Sequence, residues 1–461
     1  MKLKNVALIL ALATSMNATA ATSDTMPEAM KQALKVPGAD VTFDVKRAKQ
    51  PFSSQFATEA QQAFNNFHLQ MGGDHAVYYN GHMTEVLHSA LSRPNENYKP
   101  LVRSINNRIG DLKVETGQGM LSLDEYMENP MFRTQAMIMV HKGEVVYEAY
   151  PGMNKNDRHI WYSSAKTTVG LVMAKLVQEG KVDISKVVPD YIPELKGSAW
   201  DDITVESVLN MTTGLDNEET LQSILNPDSP VVRYFAAITG SPRASTGEYE
   251  DWLTDVAADQ QKLEGEKQGD VFRYASINTS ILTQIIENVE GKTWAKIFEE
   301  KVWSKMYARE PAVFGLAPNG HALALGLLQT TPEDMVRFAT LFTPSWKAVA
   351  AEQVVTPELI DMIRAEADPK RYVGTAKEAS SVSSFQDKAQ GNGYQFDFIY
   401  DDGAIAKSGN MNQMIYMDPE RDFAAIVVST SPYHSGYGET KAPAYMRMAA
   451  KYLNGELFIT Q

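Results

Sequence analysis

Short apolar runs separated by a polar turn mark two neighbouring strands near residue 140. Segment 136–140 reads Ala-Met-Ile-Met-Val, the next four residues are His-Lys-Gly-Glu, and segment 145–150 reads Val-Val-Tyr-Glu-Ala-Tyr. Two such runs, rich in β-branched and aromatic residues and joined by a glycine-containing turn, are typical of a β-hairpin. The pattern therefore predicts strand, tight turn and strand over 136–150.

Helical spacing of apolar residues replaces this pattern in the middle of the chain. Segment 163–179 is apolar on most of its faces and ends at Gly180, which predicts a mostly buried helix with a glycine stop. Thr331 and Pro332 precede another periodic segment as a cap and a first-turn proline. The helices predicted in this part are 163–179, 203–214 with its turn, 277–289 followed by Gly291, and 335–342.

The C-terminal part returns to strand patterns and then closes with a helix over 442–453. The predicted strands are 394–400, 403–407, 413–417 and 423–430, with the Asp-Pro-Glu-Arg turn 418–421 before the last. Strands at both ends with helices between them predict an α/β fold in which one antiparallel sheet joins N- and C-terminal segments. The central helical block is then an inserted domain, and the cleft beside it is the natural place for a site.

The first twenty residues have the pattern of a signal peptide. Lys2 and Lys4 form a positive start, residues 6–13 are apolar, and Ala18-Thr19-Ala20 supplies small residues for cleavage. A transmembrane anchor is the alternative, but the apolar run is far shorter than the ~20 residues that a span needs. The segment therefore predicts export, cleavage after Ala20 and a periplasmic protein, with secretion beyond the periplasm left open.

Residues 21–120 predict an N-terminal extension that packs on a main domain of residues 121–461. Half of the chain's eight histidines fall in the extension: His68, His75, His82 and His88. Their spacing fits no common zinc pattern, so we interpret them as solvated or capping residues and predict no metal site. The helical insert of the main domain is predicted at about residues 165–330.

Composition narrows the chemistry that the chain can perform. The formal net charge is -14, which disfavours a broad basic face for nucleic acid. The chain has no cysteine, so disulfides, thiolate catalysis and iron–sulfur clusters are excluded. Reactive groups must therefore come from Ser, His, Lys, Tyr or carboxylates.

The pair Ser163-x-x-Lys166 at the start of a predicted helix is the first candidate for such chemistry. A serine and a lysine three residues apart share a helix face, so the lysine can hydrogen-bond the serine hydroxyl. A buried lysine has a lowered pKa and can act as the base that activates the serine. Taken alone, the spacing is weak evidence for a catalytic pair, because a solvated lysine on an ordinary helix gives the same pattern.

Two further segments could face the same cleft. Tyr274 precedes a predicted helix, where its phenol could relay a proton. A tyrosine packed in the core with its hydroxyl hydrogen-bonded is the commoner interpretation of such a position. Segment 406–410 reads Ala-Lys-Ser-Gly-Asn on a predicted strand. Gly409 would let a substrate approach the backbone, and the next N–H, that of Asn410, could face a developing oxyanion. An ordinary strand glycine at a bulge is the alternative.

The order of these segments resembles the serine β-lactamase and penicillin-binding-protein superfamily, whose signatures are S-x-x-K, Y-x-N and K-T-G. Within it the chain is most similar to the class C branch and to the 6-aminohexanoate-dimer (nylon-oligomer) hydrolases and related esterases. The resemblance covers roughly residues 121–455. Besides the three motifs, the matching stretches are 180–183, 191–195, 208–214, 333–338 and 413–419.

The resemblance implies a sheet flanked by helices with an inserted all-helical domain. It also implies hydrolysis of a small amide or ester through an acyl-enzyme, with Ser163 as nucleophile, Lys166 as base and Tyr274 as proton donor. The N–H groups of Ser163 and Asn410 would form the oxyanion hole, and Lys407 would read a substrate carboxylate. No cofactor, metal, nucleic acid or stable membrane insertion after signal cleavage is expected.

Two departures from the superfamily pattern concern the substrate. Ser276 stands where Y-x-N has its asparagine, as the nylon-hydrolase branch also tends to have, and Asn412 stands where a glycine is expected. We expect neither residue to touch the proposed nucleophile or base. A β-lactamase or D,D-peptidase, supported by Lys407-Ser408-Gly409, and a non-catalytic binding protein on the same fold are the alternatives.

Overall fold

An eight-stranded sheet dominates the computed structural model, which describes residues 38–64, 72–431 and 441–457. The strands of the structure are β1 Ser89–Ser92, β2 Val102–Arg103, β3 Lys113–Thr116, β4 Gly119–Ser122, β5 Thr134–His141, β6 Glu144–Ala149, β7 His159–Ile160, β8 Ala312–Gly315, β9 Leu328–Thr330, β10 Gly391–Gly393, β11 Phe396–Ile399, β12 Ile405–Gly409, β13 Gln413–Asp418 and β14 Phe423–Ser429. The order in the large sheet is β10-β11-β12-β13-β14-β5-β6-β2. This confirms the predicted antiparallel sheet made from both ends of the chain, to which β2 adds a parallel edge.

The helices pack on both faces of this sheet. Most of them come, along the chain, between the early strands β2, β5 and β6 and the late strands β10–β14. The α-helices are Ser54–Ala63, Asp74–Gly81, Leu123–Glu128, Lys166–Gln178, Val205–Leu209, Leu221–Leu225, Pro230–Ile238, Ser276–Glu290, Trp294–Lys301, Pro332–Thr340, Pro357–Ala365, Pro369–Tyr372, Ala376–Phe385 and Ala442–Leu453. Shorter 3₁₀ turns are Val45–Lys49, Met83–Glu85, Asn107–Ile109, Tyr162–Ala165, Val188–Asp190, Pro193–Leu195, Trp303–Lys305, Trp346–Ala348 and Asn410–Asn412, and Trp252–Ala257 is a π-helical turn. The predicted mixture of helices and sheet is therefore confirmed.

The central strands of the large sheet are buried on both faces. Alternate residues belong to different cores, because successive side chains of a strand point to opposite faces. Ile138 and its cross-strand partner Ile426 pack in one core, whereas Met137 and its partner Val427 pack in the other. Two apolar layers thus hold the sheet in place, which gives the adjoining site a rigid wall.

A second sheet has four short strands in the order β1-β8-β9-β7. Its edge strand β7 directly precedes the turn that carries Ser163. Strands β8 and β9 lie within the range predicted as a helical insert, which is otherwise mainly helical. Strand β1 comes from the predicted N-terminal extension and pairs with β8, just as β2 pairs with β6. The domain boundary at residue 120 stays a prediction, and the residues before it contribute to both sheets.

Several predictions of the N-terminal part fall outside the described residues, namely the signal peptide at 1–20 and His68. His75 and His82 make ring contacts, the latter stacked on Tyr78 at 4.4 Å between ring centroids. Within the described residues, no group of three or more His, Cys, Asp or Glu side chains could hold a metal ion. Nor does any helix in those ranges have the length and apolar character needed to cross a membrane.

Candidate active site

Ser163 lies on a 3₁₀ turn, Tyr162–Ala165, that connects β7 to the helix Lys166–Gln178; we call it the nucleophile turn. Tyr162 has a φ of 46°, a conformation that costs a non-glycine residue roughly 1–3 kcal/mol. Its hydroxyl donates to Oδ1 of Asn80 at 2.5 Å, and the neighbouring Trp161 donates from Nε1 to Thr330 Oγ1 at 2.8 Å. Buried partners from distant segments thus hold the turn in its strained shape.

Ser163 on the nucleophile turn and Lys166 at the start of the following helix are three residues apart in helical backbone, so their side chains lie on one face. Lys166 is fully buried, and its Nζ donates to Ser163 Oγ at 3.1 Å, to Ser276 Oγ at 3.1 Å and to Leu325 O at 2.6 Å. Burial lowers the pKa of Lys166 to about 8, against the opposing charges of two nearby carboxylates. The fraction of Lys166 present as a neutral amine beside the Ser163 hydroxyl therefore grows as the pH rises through about 8.

Tyr274 lies beside the same serine. The Ser163 side chain acts on its phenol and lowers the pKa of Tyr274, against the larger effect of burial, and Lys407 Nζ lies 3.4 Å from the phenol oxygen. Three ammonium groups surround the ring, with Nζ to centroid distances of 5.4 Å for Lys166, 4.7 Å for Lys377 and 4.4 Å for Lys407. Burial, aided by two nearby carboxylates, raises the pKa of Tyr274 well above its usual value. The phenol is thus protonated at neutral pH and can donate.

Strand β12 forms the wall of the site opposite the nucleophile turn. Ser164 Oγ donates to Lys407 O at 3.1 Å and so ties the two together. A Cβ on Gly409 would lie 2.7 Å from the carbonyl oxygen of Trp161, so only glycine permits this approach. Asn410 is buried and begins the next 3₁₀ turn, where its Oδ1 accepts from Met411 N at 2.8 Å. The oxyanion role of the Asn410 N–H stays a prediction.

Ser276 begins the helix Ser276–Glu290 and contributes both its side chain and its backbone to the site. Its Oγ accepts from the proposed base Lys166 at 3.1 Å, so the expectation that Ser276 does not touch the base is wrong: the start of this helix packs against the Lys166 side chain. The Ser276 N–H donates to Glu219 Oε1 at 2.5 Å. Glu219 is buried, and its own N–H donates to Tyr274 O at 2.9 Å. Five of the residues predicted from sequence, Ser163, Lys166, Tyr274, Ser276 and Lys407, are therefore brought into one connected cluster, with Gly409 and Asn410 beside it.

Sequence reasoning missed three charged members of this cluster: Glu219, Lys377 and Asp397. Asp397 lies on β11 and is fully buried, with Lys377 Nζ at 2.8 Å from Oδ2 and Lys407 Nζ hydrogen-bonded to Oδ1. Ser408 also donates to Oδ2, from Oγ at 2.6 Å and from its N–H at 3.2 Å. A single carboxylate in the otherwise apolar segment 396–399 was the available signal, since a buried charge requires partners.

The charges of Asp397, Lys377 and Lys407 shift one another's pKa values. Burial alone would raise the pKa of Asp397, but the two ammonium groups outweigh it and hold the pKa well below the usual range. Burial lowers the pKa of Lys407, and the Asp397 carboxylate opposes that change. The sequence-based role of Lys407, reading a substrate carboxylate, stays a prediction; in the structure its ammonium has a carboxylate partner from within the protein.

The chain shares sequence similarity with known proteins over most of its length. A family model described as Beta-lactamase matches residues 123–449. The 6-aminohexanoate-dimer hydrolase of Paenarthrobacter ureafaciens is 25% identical over 305 residues, which are 65% of this chain and 73% of that protein. Protein flp of Staphylococcus aureus is 23% identical over 282 residues, 58% of this chain, and the match spans only 51% of that protein.

Solved structures show the same architecture. A Bacillus anthracis protein named after 6-aminohexanoate-dimer hydrolase superposes with a TM-score of 0.67 at 21% identity, covering 82% of this chain and 94% of that one. A Bacteroides dorei protein named after β-lactamase superposes with a TM-score of 0.52 at 16% identity, covering 72% and 97%. At these identities the likeness is one of fold.

Proposed function

The chain belongs to the β-lactamase family and is a hydrolase, and from this premise we propose that it cleaves a small amide or ester through an acyl-enzyme on Ser163. One observation carries the proposal: the fully buried Lys166 Nζ lies 3.1 Å from Ser163 Oγ. A desolvated amine at hydrogen-bond distance from a hydroxyl is the arrangement that general-base activation of a serine requires.

The proposed acylation begins when Ser163 Oγ attacks the substrate carbonyl and neutral Lys166 accepts its proton. The carbonyl oxygen becomes an oxyanion facing the N–H groups of Ser163 and Asn410, where backbone donors stabilise charge that develops in the transition state. Tyr274 donates its proton to the leaving amine or alcohol as the C–N or C–O bond breaks. Lys166 then returns its proton to the tyrosine through the shared hydroxyl cluster.

Deacylation repeats this sequence with water. Water attacks the ester of Ser163 and gives up a proton to the same relay, and Ser163 Oγ leaves with a proton to restore the free enzyme. Side chains carry every proton in this scheme, so the proposed reaction requires no cofactor or metal. Its partner is a small molecule, and nothing in it involves nucleic acid.

A screen with a matched inactive variant tests the proposal. Wild type and Ser163→Ala are compared on p-nitrophenyl esters, linear amides and the β-lactam nitrocefin. We expect hydrolysis of an ester or an amide that depends on Ser163. Turnover of nitrocefin, or its covalent trapping, would instead favour the β-lactamase or D,D-peptidase alternative. Complete absence of Ser163-dependent turnover across the screen would contradict the proposal and favour a binding protein.

Tyr274→Phe tests the proton donor separately, because it keeps the ring and removes only the hydroxyl. We expect kcat to fall by about 10²-fold or more for amides, within the range of general acid–base effects. p-Nitrophenyl esters should lose less, since their leaving group needs little protonation. The ratio of the two losses is measured by steady-state kinetics. Equal losses for both substrate types would remove Tyr274 from leaving-group protonation.

We further propose that the protein is exported to the periplasm and that residues 1–20, which lie outside the described residues, are a cleaved signal peptide. The support is the sequence itself, with Lys2 and Lys4 before a short apolar run and Ala18-Thr19-Ala20 after it. Intact-mass analysis of the periplasmic fraction should find a chain that begins at Ala21. A full-length chain that stays in the cytoplasm would contradict export.

A further inference from the structure

Asp397 is bound by an unusually complete set of donors for a single carboxylate. Lys377 Nζ and Ser408 Oγ lie 2.8 Å and 2.6 Å from Oδ2, the Ser408 N–H lies at 3.2 Å from the same atom, and Lys407 Nζ bonds Oδ1. We call the donors of Lys377, Lys407 and Ser408 the carboxylate receptor. Two ammonium groups, a hydroxyl and a backbone N–H directed at one point are what a protein would use to bind an anionic group of a ligand.

The carboxylate receptor lies beside the proposed chemistry. Lys407 Nζ is 3.4 Å from the Tyr274 hydroxyl, and Ser164, next to the nucleophile, donates to Lys407 O at 3.1 Å. Ser408 is only partly buried, so the receptor borders solvent on the side of strand β12, although Lys407 and Asp397 themselves are buried. An anionic group of a substrate lying along β12 would need these same donors.

We infer that Asp397 is a specificity-determining and positioning residue: it fills the carboxylate receptor from within the protein and so selects substrates with no anionic group on the β12 side of the reacting carbonyl. This inference rests on the proposed hydrolase function. A second carboxylate would meet donors already occupied and a negative charge at contact distance, which disfavours it. The same carboxylate fixes the ammonium of Lys407 against the Tyr274 ring.

Removing the Asp397 charge should also change the titration of its neighbours. Its carboxylate raises the pKa values of Lys166, Lys407 and Tyr274, so each of these should fall when Asp397 becomes neutral. The titratable or charged groups that face this carboxylate, or act on it, from the surrounding elements are Lys377, Lys407, Lys166, Tyr274 and Tyr372. For Asp397→Asn the pH at which kcat/KM reaches half its maximum should therefore move to lower pH, a shift that a purely structural role would not produce.

The selectivity test uses two esters of equal length, p-nitrophenyl pentanoate and mono-p-nitrophenyl glutarate, which differ by one carboxylate. Assays in 0.5 M NaCl screen the long-range repulsion from the acidic chain. We expect wild type to favour the neutral ester by at least about tenfold in kcat/KM, and Asp397→Ala to shift the ratio toward the anionic ester by at least about tenfold. Asp418→Asn is the matched control, since Asp418 is another buried carboxylate, paired with Arg421, and should leave the ratio unchanged.

Chemical rescue tests the receptor directly. Formate has the size of the carboxylate that Asp397→Ala removes. Sodium formate should raise kcat of this variant for the neutral ester and raise its melting temperature, whereas equal concentrations of sodium chloride should do neither. Wild type should respond to neither salt in this way. If the two uncompensated lysines prevent folding of Asp397→Ala, the double variant Asp397→Ala/Lys377→Met leaves one ammonium and Ser408 for the same measurements.

The outcomes separate this inference from the function on which it rests. Failure of the proposed function shows as ester hydrolysis that persists in Ser163→Ala, or as none at all; formate stabilisation of Asp397→Ala then still tests the receptor. The inference is overturned if Ser163-dependent hydrolysis treats the two esters alike in wild type. It is also overturned if formate neither stabilises nor reactivates the variant.

Discussion

Ser163→Ala is expected to lower the turnover of every substrate by roughly 10⁴-fold or more, the scale seen when the nucleophile of a serine hydrolase is removed. The substitution deletes one hydroxyl and leaves Lys166 two other acceptors, Ser276 Oγ and Leu325 O. The fold should therefore survive, and thermal unfolding should show a melting temperature close to that of wild type. A fluorophosphonate probe should add one adduct mass to wild type and none to the variant.

Ser164→Ala is the matched control for this prediction. Ser164 is the next residue on the nucleophile turn, is buried, and donates to Lys407 O rather than to Lys166. Its loss should weaken the tie between the turn and β12 while leaving probe labelling in place. A probe adduct found on Ser164 by peptide mapping would overturn the assignment of the nucleophile.

Lys166→Ala should cost about as much as Ser163→Ala, and the double variant should cost little more than either, because residues that act as a unit are not additive. The reason is that Ser163 loses its proton acceptor, which contacts it at 3.1 Å. Lys175→Ala, on the same helix but only half-buried, is the control and should retain activity. A Lys166→Ala variant with near-normal kcat would mean that another group is the base.

The pH dependence of the wild type follows from the same lysine. The reactive form of Lys166 is the neutral amine, so activity requires loss of its proton and rises as pH rises through its pKa. Since burial places that pKa at about 8, kcat/KM should increase from pH 6 to a plateau above pH 9. The midpoint belongs to the coupled group of Lys166, Lys407 and Tyr274 as a whole. A rate already at its plateau at pH 6 would contradict a lysine base.

The strongly periodic elements were predictable from the sequence. The last helix was expected over 442–453 and is Ala442–Leu453, and the last strand was expected over 423–430 and is Phe423–Ser429. The short strands were not predictable. β8 is only four residues long and buried on both faces, so it has no alternation of apolar and polar positions that could distinguish it from a helix segment.

Some residues of the candidate site were likewise predictable from the sequence and others were not. Ser163 and Lys166 were recognisable because their relation is local: they are three residues apart, where the nucleophile turn runs into the following helix. Lys377, Asp397 and Glu219 join the cluster through tertiary contacts between separate elements, and no local spacing encodes these. Only the isolated Asp397 among apolar neighbours carried a signal, and that signal gave no information about its partners.

The pairing of β5 with β14 joins residues about 290 positions apart, as Ile138 and Ile426 show. Closing a loop of that length costs conformational entropy before the two strands can pair. We therefore expect this sheet to fold slowly, as topologies of high contact order do. During synthesis the nucleophile turn leaves the ribosome long before β12, the wall that completes its site. The growing chain therefore has no complete active site, and cannot hydrolyse substrate, until its C-terminal strands have been made.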